Sequence, residues 1–345
     1  MKALSLTVFS KVHVQYFDIK TLKLIIRGVM YMFKPKNSSM SPRFVGPRTF
    51  MRLPFENTLD NLDFLIMGVP FDTGASNRTG QRYGPQSIRD FSVLLRPYNL
   101  DQEINIFDYC SGIDYGDVDV IPGNVLKTYD KITEKLEPIL NREIVPILLG
   151  GDHSITLGHL RAFAKKYGPI SLIHFDAHSD TWDDYFWEKY VHGTPFRRAV
   201  EEGLVDTSKS IQIGIRGPLY GPEDVKNAKD LGYQVVTMRE VRDLGIENVA
   251  KVIRKRVGDN PVFISFDIDF LDPAYAPGTG TPEVGGPTSF EALEYVRRLK
   301  GLNIKGFDLV EVLPTYDANE ITSMAAASII FEMITLIALN KRSNL

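Results

Sequence analysis

SLIHFDAHSD, residues 171–180, passes without a break from an apolar run into alternating acid, imidazole and acid. Side chains two apart on an extended chain share a face, so Asp176, His178 and Asp180 converge where the strand ends. Crowding two carboxylates around an imidazole is costly unless something compensates their charge. A divalent cation is the simplest compensator; the alternative is a polar loop that holds a stray histidine.

The same arrangement recurs outward along the chain. Apolar runs at 63–70, 144–151, 170–177, 210–217, 233–238, 261–269 and 305–312 read as strands. Their near-continuous hydrophobicity suits parallel strands covered on both faces. Helical spacing separates them, as in 125–140 and in 288–300, which opens on a Thr-Ser cap. Residues 320–339 are apolar on most sides and read as a buried helix, with Glu320 and Glu332 arguing against a membrane span. The fold class is therefore α/β, three layers around a mainly parallel, doubly wound sheet. In such sheets ligands bind beyond the carboxyl ends of the strands. Four strands deliver polar groups to that edge: His153 after Gly150-Gly151, the 176–180 triplet, Asp267 with Asp269, and Glu311.

His153, Asp176, His178, Asp180, Asp267 and Asp269 together supply four carboxylates and two imidazoles, enough for two ions with bridging carboxylates. A set rich in carboxylate and free of thiolate suits two Mn2+, with nickel, cobalt or zinc as other occupants. Without a metal, these acids would cap helices or pair with Lys and Arg.

Composition narrows the rest. The 345 residues are 43% hydrophobic and 24% charged with a formal net charge of -3, which gives no electrostatic case for nucleic-acid binding. Cys110 stands alone, which excludes an intrachain disulfide and a cysteine-built zinc site. The expectation is a cytoplasmic protein that makes no use of a membrane. Residues 1–40 read as an N-terminal extension or arm, basic over the first 34, with a flexible joint at 34–42, and residues 41–345 as a single catalytic domain. His13, His159 and His174 read as packing or surface residues.

GGDHS (150–154), DAHSD (176–180) and SFDIDFLDPAYAPGTGTPEVGG (265–286) resemble the signature segments of the arginase and agmatinase family, the ureohydrolases. The resemblance runs from about residue 45 to 340. It implies an arginase-like fold with a dimanganese centre. On this pattern His153 and Asp180 bind one ion, His178 and Asp269 the other, and Asp176 and Asp267 bridge. His192 resembles the family's mobile proton-shuttling histidine, and Glu311 the carboxylate that grips the guanidinium. Asp269 doubles as the group that orients the nucleophile and passes its proton on. Catalysis is thus expected from Asp269, His192 and Glu311. An assembly of three or six copies is also implied.

The substrate is then a small guanidino compound. The loop TWDDYFWEKYV, residues 181–191, should face its tail, and its acids Asp183, Asp184 and Glu188 with five aromatics suit a cation. This favours agmatine, cleaved to putrescine and urea. HGTPFRRAVEEGL, residues 192–204, also resembles guanidinobutyrase-type members, with Arg197, Arg198 or Lys189 as acceptors of a carboxylate. Guanidino acids follow agmatine, then free guanidine closed over by the aromatics; arginine fits less well. A non-catalytic regulatory member, and a dinuclear hydrolase of another amide, are the alternatives outside this chemistry. GVPFDTGASNRTGQRYGPQSIR, residues 68–89, resembles the family too and is assigned the mouth of the site or an intersubunit contact, with no catalytic part.

Overall fold

The computed structural model describes residues 32–343. The strands are β1 (Phe64–Val69), β2 (Tyr98–Asn99), β3 (Ile104–Asn105), β4 (Gly112–Asp117), β5 (Val145–Gly150), β6 (Ser171–Phe175), β7 (Ile211–Ile215), β8 (Gln234–Thr237), β9 (Val262–Asp267) and β10 (Ile304–Val310). Eight of them form one sheet in the order β4-β1-β5-β10-β9-β6-β7-β8, and every pair in it is parallel. β2 and β3 form a separate antiparallel pair. Helices pack on both faces over two apolar clusters, one around Ile147, Phe266 and Ile330, the other around Leu148, Leu160 and Phe263. Ile147 and Leu148 adjoin in β5 and face opposite clusters, the period-2 alternation that makes a covered parallel strand apolar throughout.

All seven apolar runs form strands. β4 was missed: its sequence GIDYGD lies on the sheet edge, and its acids Asp114 and Asp117 are engaged by Arg89 at 2.8 and 2.7 Å. The expected helices are Val125–Asn141 and Ser289–Arg297, the latter opened by a reciprocal cap between Thr288 and Glu291. Ile321–Ser343 is long and apolar enough to cross a bilayer, yet 78% of its apolar window is buried inside the protein. Its Glu332 is neutralised there by Arg297 at 2.6 Å. Residues 1–31 of the expected arm lie outside the described residues; the joint is tied to the body through Lys36 N–H on Arg52 O at 3.0 Å and Arg52 on Ser41 O at 2.8 Å.

The order of the central strands places the site. β5, β10, β9 and β6 are neighbours, and these are the four strands whose carboxyl ends carry His153, Glu311, Asp267 with Asp269, and the 176–180 triplet.

Candidate active site

The turn after β5 requires glycine: a Cβ on Gly151 would run into the Phe71 carbonyl. His153 follows, fully enclosed. Its Nδ1 lies 3.2 Å from Asp176 Oδ2, 3.0 Å from Asp180 Oδ2 and 3.1 Å from Asp267 Oδ2, and has no hydrogen-bond partner. Its Nε2 is 2.8 Å from Ser265 Oγ, which donates to Asp308 Oδ1 at 2.7 Å. Asp308 Oδ2 in turn meets His159 Nδ1 at 2.8 Å and Thr156 Oγ1 at 2.7 Å. With Nε2–H spent on Ser265, the Nδ1 lone pair points at three carboxylate oxygens, an arrangement that calls for a cation between them.

A second cluster adjoins it. His178 Nδ1 is 3.1 Å from Asp269 Oδ2 and 3.4 Å from Asp176 Oδ1. Asp176 therefore turns one oxygen to each imidazole. The metal-competent groups among the described residues are His153, His174, Asp176 and Asp180, and beside them Asp176, His178 and Asp269. The donor set is oxygen and imidazole nitrogen, buried and shared through Asp176, and it fits a pair of divalent ions.

The electrostatics agree. Burial and the neighbouring carboxylates of Asp269 and Asp176 push the Asp267 carboxyl well above its usual range. Burial opposes a charge on His153, but Asp176, Asp180 and Asp267 outweigh it and raise the imidazole well above its ordinary value. Such a nest attracts positive charge in any form. Asp180 and Glu311 hold left-handed backbone, φ 50° and 64°.

His174, expected to be packing, instead faces Asp176 Oδ2 through Nε2 at 2.7 Å, while its Nδ1 faces Gln212 Nε2 at 3.1 Å. His159 likewise belongs to the Asp308 relay. The partner of each lies on another element or at a strand end, so spacing on the parent element carries no sign of it.

Glu311, 1% exposed, accepts from the His153 backbone N–H at 2.9 Å and from Gln81 Nε2 at 2.9 Å, and lies 3.0 Å from His192 Nδ1. Ser76 closes the other side of His192: its backbone N–H donates to Nε2 at 3.1 Å, with its Oγ at 2.6 Å. An N–H aimed at Nε2 requires a lone pair there, so the proton of the neutral ring sits on Nδ1, toward Glu311. Burial disfavours the charged ring, but the hydrogen bond and charge of Glu311 prevail and push it up to about 9. Ser76 and Gln81 both come from the 68–89 segment, which had been given no catalytic part. That reading is corrected: the segment reaches both His192 and Glu311.

A cavity of about 100 Å³ opens onto Ser76 and His192, lined also by His178, Asp180, Trp182, Tyr185 and Asp224 among others. The 181–191 loop contributes Trp182 and Tyr185, tilted against each other at 4.8 Å between ring centres, but not its acids. Asp183 is exposed and bound by Arg198 at 2.7 Å, and Asp184 and Glu188 face solvent. Apart from Asp180 and Asp267 of the carboxylate–imidazole clusters, the acid in the lining is Asp224, which accepts from Trp182 Nε1 at 3.2 Å and Tyr220 N–H at 2.9 Å. None of the expected carboxylate acceptors lines the cavity. Arg198 is buried against Asp183 and Glu201, Arg197 donates to Thr181 O at 2.9 Å, and Lys189 is exposed.

A parallel α/β sheet with paired carboxylate-imidazole clusters at its central strand ends defines a dinuclear metallohydrolase class. The arginase family model matches residues 62–335. Mitochondrial agmatinase of Gallus gallus is 47% identical over 303 residues, 88% of this chain and 89% of that protein. Guanidinobutyrase of Pseudomonas aeruginosa is 44% identical, covering 89% of this chain and 97% of its own. The solved proclavaminate amidinohydrolase of Streptomyces clavuligerus superposes with a TM-score of 0.82 at 41% identity, over 87% of this chain and 100% of that one. The chain belongs to the arginase family, and is a hydrolase of guanidino compounds.

Proposed function

We propose that the protein is an agmatinase-type ureohydrolase that releases urea and a cationic amine. The lining of the substrate cavity carries this reading: two aromatic rings and the carboxylate of Asp224, with no lysine or arginine among the described lining residues. Aromatic faces and a carboxylate favour an ammonium tail and disfavour a carboxylate tail.

His153, Asp176, Asp180 and Asp267 would hold one manganese ion, and His178, Asp176 and Asp269 the other. When bound, such ions activate water as a nucleophile near neutral pH. Glu311 takes the guanidinium by charge-assisted hydrogen bonds, which turns the attack into an oriented step. Asp269 accepts from the Ala177 backbone N–H at 3.1 Å, which fixes its carboxylate as the proton acceptor beside the reacting carbon. His192 delivers a proton to the leaving nitrogen. That proton is the one Asp269 has taken up; Nε2 can pair with the Ser76 hydroxyl at 2.6 Å when it carries a hydrogen, and Glu311 favours the charged ring.

A second reading rests on size. A cavity of about 100 Å³ closed by Trp182 and Tyr185 also suits free guanidine, which has no tail to place. Urea release by the manganese-loaded protein from agmatine, guanidinobutyrate, guanidinopropionate, arginine and guanidine, run in parallel, separates these. Agmatine should be cleaved with the highest kcat/KM. Preference for guanidine would favour the second reading, and preference for a guanidino acid would overturn the cationic reading of the cavity.

A further inference from the structure

Asp72–Tyr83 is anchored over the strand ends by buried carboxylates. Asp152 Oδ2 accepts from Gly74 N–H at 2.7 Å, and Asp72 Oδ2 from Gly80 N–H at 2.9 Å. The segment so held delivers Gln81, which is fully buried. Gln81 Nε2 donates to Glu311 Oε2 at 2.9 Å and to Arg78 O at 3.0 Å. Both partners only accept, so the orientation of the amide is fixed and its two hydrogens are spent. Gln81 Oε1 is left buried with no partner. A carbonyl oxygen enclosed with nothing to accept from is uncommon in a native fold, and this one belongs to the amide that holds the carboxylate assigned to the substrate.

The neighbouring backbone comes close to the pair and carries no side chain there. A Cβ on Gly280 would lie 2.8 Å from Gln81 Nε2 and 3.2 Å from Glu311 Oε2, so the glycine keeps side-chain atoms away from the amide–carboxylate pair. On Glu311, Oε1 already receives two donors and Oε2 only Gln81 Nε2. The spare capacity of Oε2 and the orphaned Oε1 of Gln81 thus belong to one amide–carboxylate pair. A guanidinium is a planar cation that offers only donors, and a carboxylate satisfies one edge of it. Its other N–H groups need acceptors in so closed a site.

We propose that Gln81 is a substrate-binding residue whose Oε1 accepts an N–H of the guanidinium held by Glu311. The inference rests on the assignment of Glu311 to the guanidinium made above. Gln81 then serves twice: Nε2 orients the carboxylate, and Oε1 completes the acceptor set.

The test is Gln81→Met, similar in length and without a hydrogen-bonding amide, assayed by urea release from the best guanidino substrate beside Glu311→Gln. Its kcat/KM should fall roughly 10- to 100-fold, chiefly through KM, the scale of one hydrogen bond to a charged group. Manganese per subunit should match the unmutated protein, while the thermal midpoint should fall modestly, because the Nε2 hydrogen bonds to Glu311 and Arg78 O are lost with the amide. An unchanged KM in Gln81→Met overturns the inference, and so does a loss accompanied by lost manganese, which marks a structural role. A raised KM in Glu311→Gln alone confines the failure to Gln81. An unchanged KM in Glu311→Gln shows that the parent assignment failed, and Gln81 falls with it.

Discussion

His153 can offer a lone pair to three carboxylates because its other nitrogen is committed to Ser265 and, through it, to Asp308. Asp308→Asn puts an amide donor where the relay needs an acceptor, so manganese affinity should fall about 10- to 100-fold, measured by equilibrium dialysis. The same residue has an acid signature. Burial opposes its charge, but the hydrogen bond and charge of His159 hold its carboxyl below the usual value. A carboxyl depressed in the folded state adds stability above its unfolded pKa of about 3.9, and loses it as pH falls through the lower folded value. In chelator-treated protein, the gap in thermal midpoint between the original chain and Asp308→Asn should be full near neutrality and close in acid. A gap that widens in acid would contradict the assignment. At the other end of the cavity stands Asp224. If its half-buried carboxylate reads an ammonium tail, Asp224→Asn should raise KM for agmatine about fivefold, roughly 1 kcal/mol, and leave KM for guanidine in place. Equal effects on both would show that Asp224 merely supports Trp182.

At the scale of elements, the contrast is between strand ends and loops. Gly74 sits where a Cβ would come within 2.7 Å of Ser154 Oγ and 3.1 Å of Asp152 Oδ2, so Gly74→Ala should lift the segment that carries Ser76 and Gln81. Overpacking of this kind costs about 1–3 kcal/mol. The expected result is a large loss of urea release with manganese content intact; full activity would show that the segment is not needed in this position. The strand-end residues were legible in the sequence, because four of the apolar runs end on acids and imidazoles, although β6 stops at Phe175 and Asp176, His178 and Asp180 lie in the loop beyond it, with His178 turned to a second cluster. Ser76, Gln81 and Asp224 were not. Gln81 lies 230 residues from Glu311 and Ser76 lies 116 from His192, and in an irregular segment no periodicity says which side chain turns inward. The acids of the 181–191 loop misled for the same reason. Asp183 is drawn outward to Arg198, while a different element supplies the carboxylate that lines the cavity. β4 escaped because edge strands tolerate the acids and glycines that a central strand excludes.

For the whole molecule, the strand order makes the site a clasp. β5, β10, β9 and β6 stand side by side although the chain visits them far apart, and Glu311 meets the His153 backbone across 158 residues of sequence. Only the complete sheet brings Asp176, Asp180, Asp267 and Asp269 together with both imidazoles, so an unfolded chain has no comparable site. A ligand that binds only the folded state stabilises it by about 2.7 kcal/mol per site at a hundredfold excess over Kd. In a protein of this size that is a rise of at least a few degrees in thermal midpoint. Burial of four carboxylates in one nest strengthens the expectation, since without cations their mutual repulsion is met only by the histidines around them. Chelation should therefore lower the midpoint, and added manganese should raise it steadily with the logarithm of its concentration. His153→Ala should lose part of this response while keeping the part that belongs to the His178 cluster. A midpoint indifferent to chelator and manganese alike would mean that the acids at these four strand ends do not hold ions, and the dinuclear assignment would fail with them.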